Sequence, residues 1–163
     1  MSNWITRAET GADTAAVDAV NFHAFGRRFE ADLVNRLRAE ATSWLSYVAV
    51  ANDEVVAHAL LSRCHVDDTP VLVLGPCAVL PSYQRTGAGT AAINAALDGA
   101  RAAGEYAVVV LGHTEYYPRF GFRQATEFGI HSEYDGPYQM ALSLDSTRPL
   151  PRGTIKYPAG WQA

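Results

Sequence analysis

Residues 84–90, with the sequence QRTGAGT, have the composition of a phosphate-binding turn. Gly87 and Gly89 carry no side chains, so the backbone can approach an anion closely with its N–H groups accessible. An apolar run precedes the turn at residues 71–80, and an alanine-rich helical pattern follows it. The first N–H groups of a helix lack partners within the helix, and the helix dipole is positive at this end. The segment therefore predicts a cradle for a phosphate or pyrophosphate group.

Two established phosphate-binding motifs fit this turn poorly. A P-loop requires a lysine and then a serine or threonine after its second glycine, whereas Thr90 follows Gly89 directly. The dinucleotide fingerprint G-x-G-x-x-A does match residues 87–92. However, residues 81–86 separate it from the preceding strand, and the next strand ends in LGH without an acidic residue for a ribose. A nucleotide-binding enzyme is therefore the weaker alternative.

Gly75 and Pro76 interrupt the apolar strand that leads into the turn. Proline cannot donate a hydrogen bond to a sheet, so its position inside a strand predicts an edge or a bulge. A bulge here would turn residues 77–80 away from the neighbouring strand. The resulting cleft would expose backbone N–H and C=O groups that could pair with a ligand containing amides.

The elements around this segment predict an α+β domain rather than a doubly wound fold. Three strands with short connections favour an antiparallel meander, and the following strand, helix and strand form a βαβ unit with parallel strands. The predicted strands cover residues 4–8, 45–51, 55–65, 71–80, 106–111 and 138–144, and the predicted helices cover residues 16–25, 30–39 and 87–103. A short helical piece is expected at residues 116–120. We expect one domain over residues 1–163, with an irregular tail at residues 146–163.

Composition excludes several classes of function. The chain has 163 residues, of which 18% are charged and 48% hydrophobic, and its net charge is −4, which disfavours a nucleic-acid partner. No apolar run approaches the roughly 20 residues that span a bilayer, and the N-terminus does not resemble a signal peptide. Cys64 and Cys77 match no metal-ligand spacing, and the histidines add none. We therefore expect a cytoplasmic protein without a membrane association or a metal, and leave a homodimer open.

Two segments together resemble the GNAT family of acyl-CoA-dependent N-acetyltransferases. The glycine turn is similar to that family's Q/R-x-x-G-x-G/A loop, and residues 117–122, YPRFGF, are similar to its later Y-x-x-x-G-F segment. The match is strong over residues 71–122. The stretch HTEYYPRFGF and the tail segment GTIKYP also resemble a bacterial subgroup, the YhbS-like proteins.

The resemblance implies a GNAT-like fold that binds acetyl-CoA as a co-substrate. Such a fold has a mixed, mostly antiparallel sheet with helices on both faces, and its central parallel strands splay to form the cofactor cleft. By this resemblance the backbone of Cys77, Ala78 and Val79 pairs with the pantetheine arm, and the backbone of residues 85–90 holds the pyrophosphate. The cofactor-binding residues of this turn are Gln84, Arg85, Thr86, Gly87, Ala88, Gly89 and Thr90. An N–H group near Val79 would polarise the thioester carbonyl.

The resemblance also implies direct attack of a primary amine on the thioester. Tyr117 aligns with the tyrosine that often protonates the departing thiolate, and the alternative is an aromatic side chain that only packs beside the cofactor. Many members carry a glutamate on the central strand, but residues 71–80 contain no acidic residue. His113, at the end of the parallel strand, is our predicted general base. Glu115, Glu133 or water are alternatives.

The amine acceptor is expected between the first two helices and residues 116–138. Its class is left open between a small molecule and a peptide amine. The side chains predicted to line its pocket are aromatic: Phe25, Phe29, Tyr116, Tyr134 and Tyr138. A non-catalytic module that binds or senses acyl-CoA is the alternative function. Cys77 lies within reach of the thioester, but no paired base is evident, so a covalent acyl-enzyme is disfavoured.

Overall fold

The computed structural model describes residues 4–161, which fold as a mixed sheet with helices on both of its faces. The sheet follows the order β1-β2-β3-β4-β5-β8-β6, and β9 pairs with both β3 and β7. The strands are β1 Ile5–Ala8, β2 Trp44–Ala51, β3 Glu54–Val66, β4 Thr69–Val79, β5 Ala107–Leu111, β6 Arg123–Gln124, β7 Ile130–His131, β8 Gln139–Ser143 and β9 Gly153–Lys156. The helices are α1 Thr14–Phe25, α2 Phe29–Glu40 and α3 Ala88–Ala102, together with short 3₁₀ helices that include Pro81–Tyr83 and Tyr117–Phe120.

The parallel strands β4 and β5 pair over a short distance and then separate. Their pairing runs from Leu72 opposite Val108 to Leu74 opposite Val110. On the other side of β4, a register shift places both residues of the Gly75-Pro76 pair against the single residue Leu60 of β3. This extra residue is a β-bulge, which bends the strand and disrupts the ladder locally. The predicted bulge and the predicted splayed pair are both confirmed.

Alternation along β3 explains why the sheet is covered on both faces. Leu60 and Leu61 are both fully buried but point in opposite directions, as successive residues of a strand must. Leu61 packs in the cluster that contains Ala92 and Ala96 of α3. Leu60 packs in the cluster formed by apolar residues of α1 and α2. Among residues 4–161, none of these helices is long and apolar enough to cross a membrane.

The C-terminal tail differs from the irregular segment that the sequence predicted. Its strand β9 pairs antiparallel with β3, where Ile155 lies opposite Val66, and parallel with β7. Ile155 is buried in a cluster with Val71 and Val73 of β4, a part of the sheet face that α1 and α2 leave uncovered. Four residues between prolines carry too weak a local pattern to predict a strand. The requirement to cover apolar strands decides the structure here.

A buried chain of hydrogen bonds crosses the sheet on the α1 side. The Asn21 amide donates to Val17 O at 3.0 Å and to His58 Nδ1 at 3.1 Å, which fixes its orientation. His58 Nδ1 must then accept, so Nε2 carries the hydrogen and donates to Ser46 Oγ at 2.8 Å. Ser46 in turn donates to the Glu9 carboxylate, which also forms a 2.7 Å ion pair with Arg38. Burial, with a smaller effect of Arg38, lowers the pKa of His58 from 6.5 to about 3.

We expect this histidine to make folding sensitive to acid. The unfolded chain takes up a proton at His58 below pH 6.5, whereas the folded chain resists protonation until about pH 3. Stability should therefore fall as the pH decreases through this window, with a slope that approaches about 1.4 kcal/mol per pH unit for this one proton. Urea unfolding between pH 7 and pH 5 measures that slope.

Two variants separate His58 from the other titrating groups. His58→Gln keeps a donor near Ser46 but cannot titrate. The slope of its unfolding free energy against pH should therefore be smaller than that of the wild type by the contribution of about one proton. His23→Gln removes an exposed histidine of α1 and should retain the wild-type slope. An unchanged slope in His58→Gln would contradict the assignment.

Candidate active site

A cleft opens where β4 and β5 separate. Its main cavity has a volume of about 730 Å³ and is bordered by α1, the end of β4, the glycine turn and the segment after β5. The lining residues are Ala24, Phe25, Cys77, Ala78, Val79, Gln84, Arg85, His113, Glu115, Tyr116 and Arg119. A second cavity of about 460 Å³ shares five of these residues and continues to Gly87, Gly89 and Thr90. The two cavities are therefore one continuous groove, from the splayed strands to the start of α3.

The glycine turn leaves the N-terminus of α3 open to this groove. Gly87 is the residue before the first helical turn and has a φ of +96°, a left-handed conformation that favours glycine. No side chain caps the helix here, so its first N–H groups are available. Gly89 allows close packing, since a Cβ at this position would lie 2.7 Å from Val79 Cγ2. Thr86 instead donates its hydroxyl to Tyr83 O within the turn.

Tyr116 borders the end of the groove at the start of α3. Its hydroxyl lies 2.9 Å from Thr90 Oγ1, which connects the first turn of α3 to the segment after β5. The guanidinium of Arg119 stacks over the Tyr116 ring at 4.2 Å, and its Nε donates to Tyr116 O at 2.9 Å. Burial is the main reason why the pKa of Tyr116 is raised. Tyr116, which the sequence placed at the acceptor, therefore lies at the glycine turn.

Tyr117 lies on the opposite side of the segment, beside the end of β4. Its hydroxyl interacts with the Cys77 thiol, and its ring contacts Gly112 and stands edge-on to Phe122 at 5.9 Å. A Cβ on Gly112 would lie 2.2 Å from Tyr117 Cε2, so only glycine allows this ring position. The neighbouring Cys77, followed by burial, raises the pKa of Tyr117 above its usual range. The hydroxyl therefore keeps its proton near neutral pH and can donate it.

Cys77 has the properties of a packed thiol rather than a nucleophile. Burial raises the pKa of the Cys77 thiol to about 12, against a smaller opposite effect of the neighbouring Tyr117 hydroxyl. The thiolate, which is the reactive form of cysteine, is therefore negligible near neutral pH. Among residues 4–161, no group of three or more His, Cys, Asp or Glu side chains could hold a metal ion.

His113 connects the main cavity to a third one. This cavity, of about 500 Å³, is lined by His113 together with Leu111, Gly112, Tyr134 and Tyr138. The backbone carbonyl of His113 also accepts the N–H groups of Tyr116 and Tyr117, at 3.2 and 3.3 Å. The turn that begins at His113 therefore determines where both tyrosines lie.

The structure brings most of the predicted site residues together, but Tyr117, Thr86 and Ala88 line none of the three cavities. Glu115 lines the main cavity, whereas Glu133 lines none of the three cavities described above. Phe25 borders the main cavity, but Phe29 lies outside the lining of all three, exposed at the start of α2. Arg119 was not among the residues predicted for the site. Its position three residues after Tyr116 was the available indication, because that spacing lets a side chain fold back over the preceding ring.

Comparison with known proteins gives consistent matches. A family model described as the acetyltransferase (GNAT) family matches residues 7–122. The uncharacterized N-acetyltransferase YjhQ of Escherichia coli K12 is 38% identical over 133 residues, which cover 77% of this chain and 74% of that protein.

Two solved structures match the fold closely. A GNAT family acetyltransferase from Brucella melitensis, in complex with acetyl-CoA, superposes with a TM-score of 0.79 and 30% identity, covering 96% of this chain and 97% of that one. E. coli YhbS, in complex with CoA, superposes with a TM-score of 0.87 and 25% identity, covering 96% and 91%.

Proposed function

The chain belongs to the GNAT acetyltransferase family, and from this membership we propose that it moves an acetyl group from acetyl-CoA to a primary amine. The main support is the continuous groove that joins the splayed end of β4 to the open N-terminus of α3. Such a groove suits a long ligand with amides at one end and a pyrophosphate at the other. Two similar proteins have been solved with CoA or acetyl-CoA bound.

The residues that line the groove suit the two ends of acetyl-CoA. Beyond Leu74 the strand β4 has no ladder with β5, so the backbone of Cys77, Ala78 and Val79 can pair with the pantetheine amides. The open N–H groups at Gly87 and in the first turn of α3 suit the pyrophosphate. We assign the remaining turn residues, Gln84, Arg85, Thr86 and Ala88, to the same cradle through their backbone.

In the proposed reaction a neutral amine attacks the thioester carbonyl. A new C–N bond forms, and the C–S bond breaks when the tetrahedral intermediate collapses. The N–H group near Val79 stabilises the negative oxygen of this intermediate. The amine passes its proton to His113 or to water, and the Tyr117 hydroxyl donates a proton to the departing thiolate sulfur.

We expect His113→Gln to lower turnover about tenfold near neutral pH, because a base that removes the amine proton is lost. The loss should shrink as the pH rises towards the pKa of the amine, where the neutral form is already abundant. Initial rates across pH 6.5–10, in parallel with Glu115→Gln, measure this dependence. If His113→Gln matched the wild type throughout while Glu115→Gln showed the deficit, Glu115 would be the base.

We assign the acceptor to the third cavity and to the exposed Phe25 of the main cavity, since His113 lines both cavities. Tyr138 and Phe25 are 56% and 42% exposed, which is high for aromatic side chains, and no carboxylate lines the third cavity. A group with an aromatic or apolar body fits these walls better than a polyamine. The acceptor can be a small molecule or a peptide N-terminus with such a side chain.

The decisive experiment is a panel of amines, with release of free CoA thiol as the readout. Aromatic primary amines, aliphatic polyamines and peptides with aromatic or charged N-terminal residues should be compared at the same acetyl-CoA concentration. We expect thiol release above background with the aromatic members. Tight CoA binding without release on any amine would instead support a non-catalytic acyl-CoA-binding module.

A further inference from the structure

We propose that Arg119 is an anion clamp that holds the pyrophosphate of the coenzyme from the side opposite the glycine turn. This inference rests on the proposed function, because it assigns a contact to the ligand proposed above. Arg119 lines both the main cavity and the cavity that contains Gly87, Gly89 and Thr90. An anion seated on the helix N-terminus would therefore lie within the space that Arg119 borders.

The arginines without a carboxylate partner include the two that border the groove. Seven arginines of the described chain form ion pairs with carboxylates. Five others form no ion pair among residues 4–161, and two of these five, Arg85 and Arg119, border the groove. A protein with a net charge of −4 has enough acidic side chains to pair them. The groove therefore holds two arginines without an ion pair against the one carboxylate of Glu115, and this excess of positive charge suits an anionic ligand.

The geometry of Arg119 is fixed before any ligand arrives. Its Nε donates to Tyr116 O at 2.9 Å and its guanidinium plane lies over the Tyr116 ring, while Tyr116 is itself held by Thr90. These contacts use one donor and one face, so the terminal N–H groups remain for an anion. Arg85 also borders the groove, from the turn, at a left-handed φ of +63°, and no hydrogen bond of its side chain within the described chain holds it in place. Arg119 is thus the pre-oriented partner of the pair, and less side-chain entropy is lost on binding.

The test compares Arg119→Gln with the wild type on three ligands. CoA carries the pyrophosphate and a 3′-phosphate, dephospho-CoA lacks the 3′-phosphate, and pantetheine lacks all phosphates. Calorimetry gives the first two dissociation constants, and an NMR titration gives the weak third one. We expect Arg119→Gln to lower the affinity for CoA and for dephospho-CoA alike by about tenfold, since a charge-assisted hydrogen bond is lost. The affinity for pantetheine should stay unchanged.

Arg123→Gln is the matched control. Arg123 is an exposed arginine on β6, is paired with Glu127 at 2.7 Å and borders neither part of the groove. Its removal should leave all three dissociation constants unchanged, which excludes a general effect of losing one positive charge. Arg119→Lys keeps the charge but loses the stacking of the planar guanidinium. It should lose less affinity for CoA and dephospho-CoA than Arg119→Gln does.

Each other outcome contradicts the clamp. If Arg119→Gln lowered the affinity for CoA but not for dephospho-CoA, Arg119 would contact the 3′-phosphate instead of the pyrophosphate. An equal loss of affinity for pantetheine would mean that Arg119 acts only through the packing of Tyr116. Unchanged affinity for all three ligands would exclude a contact between Arg119 and the coenzyme. If the wild-type protein bound none of the three ligands, the proposed function itself would fail, which is distinguishable from a failure of the Arg119 variants alone.

Discussion

Tyr117→Phe should lower turnover by about 100-fold or more, the range typical of a lost general acid, and leave the affinity for CoA unchanged. Phenylalanine keeps the ring against Gly112 and Phe122 and removes only the hydroxyl beside Cys77. The binding groove should therefore stay intact while the proton for the leaving thiolate is lost. Steady-state rates with an amine from the panel, together with calorimetry for CoA, separate the two effects.

The pH dependence adds a second check on Tyr117. Because the pKa of Tyr117 is raised, its hydroxyl stays protonated well into the alkaline range. The wild-type rate should therefore show no alkaline decline from tyrosine ionisation below the ordinary tyrosine pKa of about 10. Tyr106→Phe, at a partly buried tyrosine outside the groove, is the matched control and should keep full activity. Normal turnover in Tyr117→Phe would reduce Tyr117 to a packing role.

Gly112→Ala should reduce turnover nearly as much as the loss of the tyrosine hydroxyl, although Gly112 carries no reactive group. A Cβ at this position would lie 2.2 Å from Tyr117 Cε2, far inside van der Waals contact. The rigid ring must move, and with Tyr116 edge-on at 5.1 Å and Phe122 on another side, it can move only by leaving its place beside Cys77. We therefore treat Gly112 as a positioning residue for the acid, and expect kcat to fall about 100-fold while CoA still binds.

A double-variant cycle tests this mechanism directly. If Gly112→Ala acts through Tyr117, combining it with Tyr117→Phe should cost little more than Tyr117→Phe alone. Gly11→Ala is the control, because a Cβ there meets no atom within 4 Å and the backbone is not left-handed. Additive losses in the double variant, or wild-type turnover in Gly112→Ala, would show that the Tyr117 ring does not depend on Gly112.

The sequence alone predicted the parts of this protein that local chemistry controls. The QRTGAGT turn, the bulge at Gly75-Pro76 and the strand–helix–strand unit around them are each visible within a few residues. Glycine, proline and apolar periodicity restrict the backbone directly, so their consequences do not depend on distant partners. Those restrictions predicted the bulge and the opening between the parallel strands, whereas the family was predicted from the resemblance of two motifs. The roles of Tyr117 and His113 stay predictions until the variants are measured.

The tertiary structure decided which side chains share a space. Thr90 and Tyr116 are 26 residues apart, yet their hydroxyls meet and thereby place Arg119 at the groove. The same holds for His58, which is neutral because it is buried and because it joins α1 to β2. Burial and long-range pairing depend on how whole elements pack, which no local pattern records. The sequence therefore determined the backbone of the site, and the packing of the elements determined the charges and walls around it.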